Sequence, residues 1–273
     1  MSFFICPICS NPLRREERSY RCTSGHCFDI AKEGYVNLLP VNKKNSLLPG
    51  DNAVMSRLRH AFLSAGYYKR LLDEICKSVV GLSADRPRIL DSGCGDGYYT
   101  AGLFSELTAA GKHPAVAGID ISKSMVRYAA RREKNIEFAV SSAFGIPASD
   151  GSVDFLLNCF SPLSLDEFRR VLGPGGIFIY VVPAPDHLWE LKEAVYERPY
   201  RNKEMQITYP GFQYEDVLPV DAVITLPDNE TVRSLFYMTP YAWRTSKNDA
   251  AKLDGIDSLT TRISFRLHIF KRM

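Results

Sequence analysis

Two hydrophobic rhythms take turns along this chain. Short apolar runs at 89–90, 115–120 (AVAGID), 136–140, 154–160 and 177–182 (IFIYVV) read as strands buried on both faces. Between them, 98–110, 122–132 and 168–172 carry apolar residues at helical spacing. Strand and helix in alternation predict a doubly wound α/β domain with a mostly parallel sheet. Segments 221–226 and 263–270 read as a final antiparallel edge pair. Upstream, Met55, Leu58, Phe62, Leu71, Leu72, Ile75 and Val79 predict one or two leading helices, broken at Ala65-Gly66. The polar stretch VNKKNSLLPGD at 41–51 reads as a linker. The expected organisation is a small module over 1–42, linker and leading helices over 43–80, and the α/β domain over 81–273.

The first strand runs into ILDSGCGDGYYT at 89–100. Gly93, Gly95 and Gly97 lack Cβ atoms, so this turn can take positive φ and approach a ligand closely. Dinucleotide-binding turns follow G-x-G-x-x-G, whereas this one reads D-x-G-x-G-x-G. It resembles motif I of the Rossmann-like class I S-adenosylmethionine (SAM) methyltransferases, whose sheet has seven strands. The resemblance implies SAM as cofactor, held around Asp91, Gly93, Cys94, Gly95 and Gly97. Asp120 closes the second strand 23 positions after Gly97, where a carboxylate meets a ribose; it could equally cap the helix that starts near Ser122. Ser142 stands where many relatives of this superfamily place an acid near adenine.

The run Asn158-Cys-Phe-Ser-Pro162 ends the fourth strand and differs from the Asn/Asp-Pro-Pro-Tyr run of amino-directed enzymes. A target other than an exocyclic amine is therefore expected, and Asn158, at the carboxyl end of the strand beside the expected methyl group, is a catalytic candidate. Asp166 and Glu167 are the nearest acids that could serve as a base, although both could simply begin the next helix. Phe160, Trp189 and Trp243 are candidates for stacking on an acceptor ring, or for core packing.

With 273 residues and 45% apolar content, the chain can fill a substantial core. No apolar run reaches the roughly 18 residues of a membrane span, and the start lacks a basic segment with a cleavage site, so a cytoplasmic protein is expected. The net charge of +3 is unevenly spread: residues 1–80 hold 12 Lys/Arg against 7 Asp/Glu, leaving −2 for the rest. A basic N-terminus suits a polyanionic partner.

Four of the seven cysteines fall within the first 27 residues, which points to metal rather than disulfides. Cys6 and Cys9 form one knuckle, Cys22 begins the second, and either His26 or Cys27 completes a tetrahedral Zn²⁺ site. Four protein ligands make such a site structural. Arg14, Arg15, Arg18, Tyr20 and Arg21 lie between the knuckles, where cations and an aromatic would project toward single-stranded RNA.

The knuckles, AKEGYVNLLP at 31–40, LDSGCGDGYYT, and HLWELK at 187–192 together resemble the RlmA family, 23S rRNA (guanine-N1)-methyltransferases. The resemblance spans nearly the full chain. It implies Cys6, Cys9, Cys22 and His26 as zinc ligands, and Tyr68, Cys94-Gly95 and His187 as SAM contacts. It also implies a guanine in a 23S rRNA hairpin loop lining the peptide exit tunnel as acceptor, and a homodimer. Two rivals are a methyltransferase for a small molecule, which would lack the zinc knuckles, and a non-catalytic zinc-dependent RNA-binding protein, which would not need the intact glycine turn.

Overall fold

In the computed structural model, residues 2–40, 53–204 and 208–273 are described, apart from the Trp243 side chain; the expected linker at 41–51 lies outside them. A three-stranded antiparallel sheet opens the chain, made of β1 (Arg14–Arg15), β2 (Ser19–Arg21) and β3 (Cys27–Asp29). The strand β4 (Val36–Asn37) leaves it and joins a second, larger sheet. Helices α1 (Ala53–Ser64) and α2 (Lys69–Leu82) follow, broken by Gly66 at a φ of 82°, a left-handed value that glycine adopts without strain.

The larger sheet is built from β5 (Arg88–Ser92), β6 (Ala115–Asp120), β7 (Glu137–Val140), β8 (Val153–Cys159) and β9 (Leu172–Pro183), which run parallel. Helices α3 (Tyr98–Ala109), α4 (Lys123–Arg132) and α5 (Leu165–Val171) connect them. After β9 come α6 (Trp189–Val195), β10 (Phe212–Leu226), α7 (Asn229–Tyr237), α8 (Tyr241–Arg244), α9 (Lys247–Ala251) and β11 (Leu259–Arg272). The strand order is β10-β11-β9-β8-β5-β6-β7-β4, with β10 and β11 antiparallel. The chain winds one way from β5 to β7 and the other way from β8 to β9. The reversal leaves a crevice at the carboxyl ends of β5 and β8, where ligands of doubly wound sheets bind.

The structure departs from the sequence expectation at both edges. The seven expected strands gain an eighth, β4, donated by the N-terminal module. At the opposite edge, β10 and β11 are 15 and 14 residues long, well beyond the apolar stretches that announced them. Much of the added length of β10 is solvent-exposed, as an edge strand allows.

Two cores flank the sheet. Leu71, Leu103, Val126, Leu191 and Leu235 bury the inner faces of α2, α3, α4, α6 and α7 against one side. On the other side, β7 passes to β8 without a helix, and the N-terminal module fills the place that a crossover helix would occupy. Phe3, Phe4, Leu13 and Tyr20 share one buried cluster there with Leu90, Ile119, Leu156 and Phe178. A parallel sheet needs both faces covered, and the module supplies half of one cover.

Gly97 opens α3 at a φ of 76°, and a Cβ placed there would lie 2.9 Å from both the Cα and the Cβ of Ala129 on α4. Its bareness therefore serves helix packing. Gly97→Ala is expected to destabilise the protein by about 1–3 kcal/mol through overpacking at a left-handed position. Urea unfolding checks this, and an unchanged midpoint would contradict it.

Candidate functional site

The glycine turn hangs from the end of β6. The amides of Gly93 and Cys94 both donate to the Ile119 carbonyl, at 2.8 and 2.9 Å, and the Gly95 amide donates to Asp120 Oδ2 at 3.0 Å. Those three donors thus serve the fold, while the positive φ values expected of the turn are present. All three glycines have positive φ, 87°, 55° and 76° for Gly93, Gly95 and Gly97. A Cβ on Gly93 would strike Ser161 Oγ at 2.1 Å, so the loop after β8 lies directly over the turn.

Of the two roles offered for Asp120, the structure shows the one at the start of α4. Besides the Gly95 contact, its Oδ1 accepts from the Ser122 amide at 2.7 Å, as a residue preceding a helix does. These two bonds fix the carboxylate at the end of β6, beside the glycine turn.

Polar groups around the crevice are buried without partners. Asp91 Oδ1, Ser92 Oγ, Tyr99 OH and Asn158 Oδ1 have no hydrogen bond among the described residues. They lie on the ends of β5 and β8 and the first turn of α3. Such orphans mark a place where a polar ligand or ordered water belongs. Burial, relieved only in part by the Thr100 hydroxyl donating to Oδ2 at 2.6 Å, lifts the Asp91 carboxyl to about 7. A cation would restore its ionised form, and SAM carries both an ammonium and a sulfonium. The residues therefore fit that cofactor.

Asn158 is held in one orientation, because Nδ2 donates to the carbonyls of Ser92 and Pro162, both at 3.3 Å, leaving Oδ1 as the orphan. Phe160 follows at a φ of 56°, left-handed for a non-glycine, with its ring 46% exposed and 5.4 Å from Phe265. Strain of this kind is retained where surrounding structure enforces it, and it gathers at functional sites.

Tyr68 and His187, the two candidates carried by family resemblance, do meet. Their rings are 6.2 Å apart and both pack on Phe265, at 5.1 and 4.5 Å. Burial drives the His187 pKa down to about 3, and the Ser264 amide donates to Nδ1 at 3.2 Å, so the ring is neutral with its proton on Nε2. Phe265, at the centre of this aromatic group, carried no signal in the sequence beyond an apolar strand position.

Asp166 does not join the site. It occupies the first turn of α5, with 98% of its side chain exposed and Arg169 3.6 Å away, so the helix-start reading is the correct one. Glu167 accepts from the Ile146 amide at 2.7 Å and pairs with Arg170, a structural duty. Trp189 stacks under the Arg201 guanidinium at 5.4 Å, and the Trp243 side chain lies outside the described residues.

A buried network was missed altogether. Asp96, 1% exposed, meets His60 Nδ1 at 2.7 Å and Arg132 at 2.5 Å, tying α1 and α4 to the start of α3. The residues are 36 positions apart in each direction, beyond any local signal.

In the N-terminal sheet, ligand atoms of Cys6, Cys9, Cys22 and His26 all lie within 4.8 Å of one another, while Cys27 is exposed on β3. Three thiols and an imidazole at this spacing suit tetrahedral zinc. The Asn11 amide holds the Cys9 thiol down to about 6, toward the thiolate that binds metal. Arg14, Arg15, Arg18 and Arg21 are exposed, and Arg21 reaches Glu16 at 3.6 Å. Tyr20 is a correction: its ring points inward, 1% exposed, and its hydroxyl donates to Glu137 at 2.9 Å.

Residues 4–47 match the family model described as "RlmA, N-terminal", a zinc ribbon, and residues 84–224 match a methyltransferase domain model. The 23S rRNA (guanine(748)-N(1))-methyltransferase of Streptomyces fradiae is 32% identical over 96% of this chain and 95% of its own. Chains named provisionally as 23S rRNA (guanine-N(1)-)-methyltransferases are 34% identical in Micromonospora griseorubida, over 68% of this chain and 67% of that one, and 30% identical in Bacillus subtilis, over 94% and 93%. No helix among the described residues is long and apolar enough to cross a membrane.

The raised carboxyl of Asp91 makes two linked expectations. The folded state holds that proton more tightly than the unfolded chain, so stability without ligand falls as pH rises from about 4 through about 7. SAM affinity should move oppositely, gaining several-fold between roughly pH 6 and pH 8 as the carboxylate ionises. Isothermal titration at both values checks this, with Asp91→Asn binding more weakly and nearly independently of pH. A wild-type affinity flat across that range would contradict it.

Proposed function

The chain belongs to the RlmA family, and from that premise we propose that it transfers a methyl group from SAM to N1 of a guanine in 23S rRNA. The observation that carries the proposal is the coexistence of a Cys3His cluster in a basic N-terminal sheet with partnerless polar groups at the switch point of the catalytic sheet. A small-molecule enzyme would need only the second. A non-catalytic RNA-binding protein would have no use for Asp91 and Asn158, which are costly to bury unsatisfied.

Bound SAM supplies an electrophilic methyl carbon on an excellent leaving group: as the N1–CH3 bond forms, the S–CH3 bond breaks to release S-adenosylhomocysteine, and the N1 proton of the guanine passes to solvent water. Positioning is therefore the protein's main contribution. Asp91, Ser92 and Tyr99 would hold the cofactor's polar end, Gly93 to Gly97 and Cys94 would shape its bed, and Asp120 would take the ribose hydroxyls. Tyr68 and His187 would close the side of the pocket as a neutral aromatic wall. Asn158 Oδ1 is an acceptor aimed by two fixed bonds, suited to an N–H of the guanine edge. Phe160, exposed and strained, is placed to stack on a base turned out of its loop, where extrusion costs least.

The family resemblance extends the proposal to a hairpin loop at the peptide exit tunnel, to a homodimer and to the cytoplasm. The ribbon would hold a structural zinc through Cys6, Cys9, Cys22 and His26 and offer Arg14, Arg15 and Arg18 to phosphates.

Methylation at N1 blocks Watson–Crick pairing, so primer extension on 23S rRNA from a strain lacking the gene should lose one stop that the wild type shows. Absence of any lost stop would refute the assignment. Cys9→Ser should reduce rRNA methylation at least about tenfold through loss of the metal-ordered ribbon, while SAM affinity stays near the wild-type value.

A further inference from the structure

The zinc ribbon and the catalytic sheet are joined by two carboxylates, one from each side of the seam. Glu137 on β7 accepts from three donors of the N-terminal segment: Ser2 Oγ at 2.6 Å, the Phe3 amide at 2.8 Å and the Tyr20 hydroxyl at 2.9 Å. Glu33, from the ribbon side, is 7% exposed and faces Arg131 at 3.0 Å and Arg127 at 3.3 Å on α4, while Lys134 Nζ caps its carbonyl at 2.7 Å. Backbone bonds run alongside, from the Ile5 amide to the Pro147 carbonyl and from the Leu38 amide to the Val140 carbonyl, both at 2.9 Å. Opening the seam would strip each carboxylate of partners that only the other side provides.

The same helix serves both ends of the molecule. Arg127 and Arg131 of α4 take the ribbon, Met125 and Ala129 pack against Gly95 and Gly97, and Arg132 reaches Asp96 at the start of α3. Ribbon and cofactor turn therefore hang on one rigid element.

We infer that Glu33 and Glu137 are positioning residues that lock the zinc ribbon to the catalytic sheet, so that the fixed span between them selects which guanine of the bound rRNA is methylated. This rests on the proposed function. The ribbon is not a tethered hand that delivers RNA by diffusion; it is an arm of set length. A nucleotide is chosen by its distance from the phosphates that the ribbon grips, and base contacts refine the choice.

The full-length protein tests this with three variants: Glu33→Lys, the milder Glu137→Gln, and the triple exchange Glu33→Arg, Arg127→Glu, Arg131→Glu. Glu33→Lys should lower kcat/KM for 23S rRNA at least about tenfold and shift part of the primer-extension stops to neighbouring guanines. Zinc content and SAM affinity should hold. Glu137→Gln should show the same shift more weakly, and the charge exchange should restore the original position. A merely structural role would lower the melting temperature with the stop pattern unchanged, and that result overturns the inference, as does a rate loss that tracks lost zinc or SAM.

Hydrogen exchange judges the seam without activity. In the wild type the Ile5 and Leu38 amides should exchange as slowly as the sheet core, and Glu33→Lys should release them. A ribbon that exchanges independently of the sheet refutes the lock even where methylation is intact. A wild type that makes no N1-methylguanine sinks the proposed function and the target-selection half together, while the exchange result still decides the lock.

Discussion

The attachment of the glycine turn to the end of β6 is the constraint on which the carboxyl edge of the sheet depends. Three consecutive amides can point back at Ile119 and Asp120 only because the turn takes left-handed φ at Gly93 and Gly95. Once they do, those three donors are taken. At the same edge the side chains of Asp91, Ser92, Tyr99 and Asn158 keep polar atoms buried and unmatched. The raised pKa of Asp91 follows from its burial at this strand end, which the Thr100 hydroxyl offsets only in part.

Covering the sheet is the second demand. A parallel sheet exposes two apolar faces, and this one lacks a crossover helix between β7 and β8. Phe4, Leu13 and Tyr20 of the ribbon fill that space, and β4 extends the same edge. A metal-bound segment too small for a core of its own thereby acquires one by sharing. The zinc cluster orders the ribbon's outer end while the shared cluster anchors its inner end.

How much of this was legible in the sequence depends on the range of the interaction responsible. The strands at 115–120 and 154–160 and the helices at 98–110 and 122–132 were announced by local periodicity, and they fold within a residue or two of those bounds. The knuckle spacing likewise put Cys6, Cys9 and Cys22 together and left His26 and Cys27 open; the family resemblance favoured His26, which lies in the cluster, while Cys27 is exposed on the strand. Tyr20 was misjudged because alternation along β2 decides which way a ring faces, and the partner that makes inward burial tolerable, Glu137, is 117 positions away. The Asp96, His60 and Arg132 network was invisible for the same reason. Asp166 looked useful only because nearness in sequence to Asn158 was mistaken for nearness in space; the intervening loop folds over Gly93 and the helix begins beyond it.

The acceptor side carries the sharper chemical constraint. Asn158 cannot remove a proton, and His187, neutral down to about 3, is present as a ring with a donor at Nε2 and not as an imidazolium. Neither carboxylate at the start of α5 faces the crevice. On the proposed function an acceptor nitrogen would therefore be oriented rather than activated by the β8 end: Oδ1 of Asn158 would accept and Phe160 would supply a face, with Ser161 lying over the turn behind them. Catalysis by orientation suits a donor that needs little help to release its methyl group, and it places the burden of accuracy on whatever fixes the RNA relative to the sheet. On the proposed function that burden would fall on the zinc ribbon, which shares a core with the strands that carry Asp91 and Asn158.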